Sequence, residues 1–108
     1  MNPNQIYQTF IEAGNDWADK HGAAELLEGS IKSLKAQLSL DAKEHVKSMA
    51  EATEVALAST TYQNAHRDAV DARTAANRAK VRYDSVKALF EAQRTSEASE
   101  RAAMRAAT

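Results

Sequence analysis

The sequence contains no cysteine, a single proline and only three glycines. The first absence excludes disulfides, thiol nucleophiles and cysteine metal sites, and it fits a reducing compartment. The scarcity of proline and glycine removes the punctuation that strands and tight turns need, so long helices are favoured. Long apolar runs are missing too, and nothing approaches the roughly 18 consecutive apolar residues of a membrane span. The opening residues MNPNQIYQTF lack the basic region followed by an apolar one that marks a leader. These absences predict a cytoplasmic protein with no membrane contact.

What the chain has in quantity is alanine. Apolar types make up 44% of the 108 residues, but 23 of these residues are alanine and only 24 are larger. Alanine brings little area to bury at about 25 cal/mol per Å², so a single chain makes a thin core and a homo-oligomer is expected. The net charge of −1 is unevenly spread. Residues 1–66 carry five Lys/Arg against nine Asp/Glu, and residues 67–108 carry nine against six. A basic half attracts nucleic acid or an acidic protein surface, and it can equally dock on the acidic half of its own chain.

Periodicity then sets the elements. Asn2 and Pro3 suit a helix start. From there Ile6, Phe10, Ala13, Trp17, Lys20, Ala24, Leu27, Ile31, Leu34 and Leu38 follow at spacings of four and three, a heptad seam interrupted only by Lys20. The pattern falters near Asp41. Ser48 with Glu51 forms a capping-box signature for a short helix, and Thr60 with Gln63 forms another. The second seam is Tyr62, Ala65, Ala69, Ala72, Ala76, Ala79, Tyr83, Val86, Phe90 and Gln93. The expected fold is all-α: a single domain over 1–108 with helices over about 4–41, 49–58 and 61–105. Large residues on one seam against alanines on the other predict an elongated, coiled-coil-like antiparallel hairpin with a short connecting helix. Gly22 and Gly29 fall on the outer face of the first helix, as a partner contact, a tolerated defect or a helix break.

The sharpest functional clue is a basic series on the third helix: Arg73, Lys80, Lys87, Arg94 and Arg101 recur every seven residues, and His66 extends the series. Arg78, Arg82 and Arg105 add charge on nearby faces. Seven residues of helix place these cations about 10.5 Å apart, over about 42 Å in all. Such a rail suits phosphates, which need only charges along a groove. Flanking positions of a coiled coil also carry Lys and Arg whose stems shield the seam. The matching edge of the first helix, Tyr7, Gly14, His21, Glu28 and Lys35, supplies one acid and cannot neutralise the whole rail. A binding edge and a solvated edge therefore both stand. Aromatic support for nucleic acid is thin, because Tyr62, Tyr83 and Phe90 lie in the seam and only Tyr7 is left outside it.

No constellation of catalytic or metal-ligating residues emerges. His21 and Glu25 share a helix face, but two ligands do not close a zinc site, and His45 and His66 have no partners at ligand spacing. Glu12, Asp16 and Asp19 read as a solvated acidic face. The triplet His66-Arg67-Asp68 matches a kinase catalytic loop in letters only, without a glycine-rich loop or strand beside it. We therefore expect no enzyme activity, no cofactor, no metal and no small-molecule substrate.

The segments ANRAKVRYDSVKALFEAQRTSEASERAAMR, from Ala76 to Arg105, and FIEAGNDWADKHGAAELLEGSIKSLKAQL, from Phe10 to Leu38, resemble small all-helical proteins of proteobacterial phages and prophages. Members are mostly of unassigned function, and some are encoded among recombination and replication genes. The resemblance covers most of the chain and implies a non-catalytic accessory protein, with Tyr83, Phe90, Arg94, Thr95, Glu97 and Arg101 in its signature region. Three roles follow as expectations: a recombination or replication accessory that contacts nucleic acid or the protein on it; an anti-defence inhibitor of a host complex; or a virion assembly helper.

Overall fold

The computed structural model describes residues 1–107, which form three helices and no strand. Helix α1 spans Pro3–Lys43, α2 spans Met49–Ala58 and α3 spans Thr60–Ala107. The all-helical class and the order of a long, a short and a long helix follow the expectation set by the missing breakers.

Side-chain caps fix where each helix starts. At α1, the Gln5 backbone N–H donates to Asn2 Oδ1 at 2.8 Å while the Asn2 N–H donates to Gln5 Oε1 at 2.9 Å. This reciprocal pair satisfies two donors that have no partner within the helix. Ser48 accepts from the Glu51 N–H at 3.1 Å and starts α2. At α3 the expectation shifts by one residue: Ser59, not Thr60, is the cap, accepting from the Tyr62 N–H at 3.1 Å. Its hydroxyl donates to the Ala56 carbonyl at 2.7 Å, so one extended residue closes α2 and opens α3. Asp41 ends nothing, because α1 continues to Lys43.

The chain forms two compact units: Met1–Ala18 with Asn77–Thr108, and Asp19–Ala76. The first unit contains only segments of α1 and α3. Tyr7 meets Phe90 there while Trp17 meets Tyr83, so rising numbers on α1 meet falling numbers on α3 and the segments run antiparallel. Phe10 sits between, with ring centroids 4.9 Å from Phe90 and 5.4 Å from Tyr83. In the second unit Glu28 and His21 of α1 reach Arg73 of α3, and Ala52 and Ala56, one turn apart, bury the inner face of α2.

The seam positions of α1 and α3 are buried or half-buried, apart from Lys20, which is exposed as its charge dictates. The fully covered positions are small. Ala24 and Ala52 are 0% exposed and Ala13, Ala56 and Ala76 are 1% exposed, whereas no large side chain among the described residues is completely buried. Alanine lets helix backbones approach closely, but in the first unit two helical segments without a third layer leave the rims of larger side chains accessible.

The three glycines have different surroundings. A Cβ at Gly14 would meet the Tyr83 ring at 3.4 Å, an ordinary packing distance, so the ring lies directly on this turn of α1. At Gly22 and Gly29 a Cβ would meet nothing within 4 Å, and α1 passes both without a break. Neither glycine has a conformational reason to be there, since none has a positive φ. Gly22→Ala and Gly29→Ala are each expected to raise stability by about 1 kcal/mol, read by urea denaturation. A loss of stability at either position would show a requirement that the helix geometry does not contain.

Candidate functional site

The cations expected to form one rail divide into groups. Arg73 is engaged within the second unit: its Nε and Nη2 donate to Glu28 Oε2 and Oε1 at 3.0 and 2.6 Å, a two-pronged pair. Its Nη1 lies 3.0 Å from His21 Nδ1. A guanidinium can only donate, so Nδ1 accepts. The other ring nitrogen, Nε2, is 3.0 Å from Glu25 Oε1 and donates to it. The hydrogen bond from Arg73 holds the Glu28 carboxyl below its ordinary range, with desolvation opposing and the Arg73 charge assisting. Because the folded value is the lower one, this stabilisation is present above the unfolded carboxylate range and is lost as pH falls through the folded value.

Lys80 is partly engaged. Its Nζ lies 3.3 Å from Asp84 Oδ2, one turn along the same helix, and 5.8 Å from the centroid of Trp17. Arg94 lies 6.0 Å over the Phe90 ring. Lys87, like Arg78, Arg82, Arg94 and Arg101, is exposed and makes no ion pair among the described residues. Arg78 and Arg82 leave the heptad series, each two residues from Lys80, and so project from other faces of α3. Arg101 and Arg105 stand on the last turns of α3, where every residue from 98 to 107 is exposed. The Arg105 Nε donates to the Arg101 carbonyl at 3.5 Å.

The structure also brings in residues that the seven-residue series did not include. Tyr83 and Phe90, assigned to the seam, are only half-buried, and Tyr7 is 49% exposed beside Phe90. With Phe10 and Trp17 they make a five-ring cluster among the six aromatic residues of the chain. The signal was present in the sequence as the interval of three residues from Lys80 to Tyr83 and from Lys87 to Phe90.

Two shallow grooves flank Ile31 in the second unit. One is lined by Glu28, Ile31, His66, Ala69, Val70, Arg73 and Thr74, and the other by Leu27, Ser30, Ile31, Leu34, Ala65 and Asp68. They exist because α3 presents alanines where α1 presents leucine and isoleucine. Arg73, the one strong donor in the first groove, is already committed to Glu28. No group of three metal-ligating side chains occurs among the described residues, and no described helix is long and apolar enough to cross a membrane.

Comparison with known proteins gives no match: no family model fits the chain, and neither a curated protein nor a solved structure matches it.

Proposed function

We propose that this chain is a non-catalytic accessory protein of the phage type, an antiparallel helical hairpin that self-associates and binds nucleic acid through the exposed basic edge of α3. The observation that carries the reading is the division of the cations. Arg73 is neutralised by Glu28 and Lys80 is held by Asp84, while Lys87, Arg94 and Arg101 continue the same seven-residue series without an ion pair among the described residues. Over this stretch the cations are about 10.5 Å apart, exposed and available to phosphates. Acids are interspersed on the same helix at Glu91, Glu97 and Glu100, so a modest, salt-sensitive affinity is expected. Self-association rests on the thin alanine core and on the exposed final turns of α3, which have apolar Met104 at 70% exposure.

The test is fluorescence anisotropy of labelled DNA at about 50 and 200 mM salt, a range over which several phosphate contacts lose much of their affinity. Binding is expected at the lower salt and a steep loss at the higher. The triple variant Lys87→Glu, Arg94→Glu, Arg101→Glu is expected to remove binding by about 100-fold or more while leaving the helices intact, because all three side chains are exposed. Unchanged affinity in that variant would reduce the series to a solvated helix edge.

A further inference from the structure

In the first unit the cations and rings of α3 alternate. Lys80, Tyr83, Lys87, Phe90 and Arg94 follow at spacings of three, four, three and four, which places them along one stripe of the helix. Helix α1 contributes Tyr7, 6.1 Å from Phe90, and Trp17, stacked on Tyr83 at 5.4 Å. None of these rings is buried. Cations stand over two of them, Lys80 at Trp17 and Arg94 at Phe90.

Resting on the nucleic-acid reading above, we propose that this strip takes single-stranded rather than duplex nucleic acid, with a base stacking on the exposed Tyr7 ring, neighbouring bases packing edge-on against the adjoining ring rims, and phosphates meeting Lys87 and Arg94. A duplex stacks its bases on one another and offers a protein on its outside mainly phosphates, which need charge alone. A single strand exposes base faces, and its binders combine a cationic track with aromatic platforms. Rings interleaved with cations at one-turn intervals supply both on one surface. Stacking accepts every base, so the strip is expected to be tolerant of sequence. Lys80, already shared with Asp84, is the weakest phosphate contact of the three.

Trp17 is the only tryptophan and lies within the strip, so its fluorescence reports occupancy directly. The experiment titrates the full chain with an oligothymidylate of about 15 nucleotides and with a duplex of the same length, at about 50 mM salt. The single strand is expected to bind more tightly and to quench Trp17. Tyr7→Ala is expected to weaken single-strand binding by about tenfold or more without changing duplex affinity, and Tyr7→Phe, which keeps the ring, to restore it. Far-UV circular dichroism of Tyr7→Ala checks that the helices persist. Equal affinity for both forms with no effect of Tyr7→Ala overturns the stacking strip and leaves the salt-dependent charge reading standing. Absence of binding to either form overturns both.

Discussion

Phe10→Ala is expected to lower the unfolding free energy by about 2–4 kcal/mol and the Tm by about 10–20 °C. Phe10 is the ring that joins the others in the first unit, touching Phe90 at 4.9 Å and Tyr83 at 5.4 Å in tilted arrangements. Such aromatic pairs add about 0.5–1.5 kcal/mol beyond the area they bury. Half-burial moderates the loss, but the unit has little else to compensate, since its fully covered seam residues other than Ile6 are alanines. A chain of this size is stable by only about 5–15 kcal/mol, so the change should be plain in a urea or thermal melt. A loss below about 1 kcal/mol would mean that the ring cluster sits on the helix pair without holding it together, against the usual cost of removing a packed phenylalanine.

Ala76→Leu is expected to act by the opposite mechanism and to cost about 1–3 kcal/mol or more. Ala76 is 1% exposed in the second unit, where Ala24 of α1 is also fully covered. A leucine there has no space to enter and must drive the helix backbones apart. Long rigid helices accommodate such a shift poorly, because displacement at one turn disturbs the turns on either side. Ala88→Leu on the exposed face of α3 is the matching control, expected to change stability by less than about 0.5 kcal/mol. Urea denaturation of the two variants compares burial at constant chemistry. Equal stability would show that close helix approach at Ala76 is not needed.

Much of the architecture was legible because helical periodicity is a local property. The spacings from Ile6 to Leu38 and from Tyr62 to Gln93 identify which side of each helix is covered, and the buried positions of α1 and α3 lie there, apart from Ser39 just beyond the first seam, with Lys20 outside as a cation must be. Ser48 with Glu51 marks the start of α2 for the same reason, since a cap is satisfied within one turn. Ser59 was harder to read. Three hydroxyl residues in a row compete for the cap of α3, and the choice depends on Ser59 being extended where α2 ends.

The candidate site was less legible, because membership of a seam does not say how deeply a side chain is covered. Tyr83 and Phe90 were expected in a core, yet the first unit has only two helical segments to cover them and their rims stay open. Likewise, Arg73 and Lys87 occupy equivalent places in a seven-residue series, and nothing within α3 distinguishes them. What distinguishes them is the residue that α1 presents opposite each: Glu28, 45 positions away in the chain, faces Arg73.

The sequence by itself therefore determined the helices, the side of each that is covered and the caps of α1 and α2, all set by neighbours within about four residues. Only the tertiary structure decided which cations are neutralised, which rings remain open and how Gly14 comes to lie under Tyr83. Those outcomes depend on the register between two helices, and a register is fixed by the summed packing of large residues on α1 against alanines on α3, which no single stretch of the chain contains.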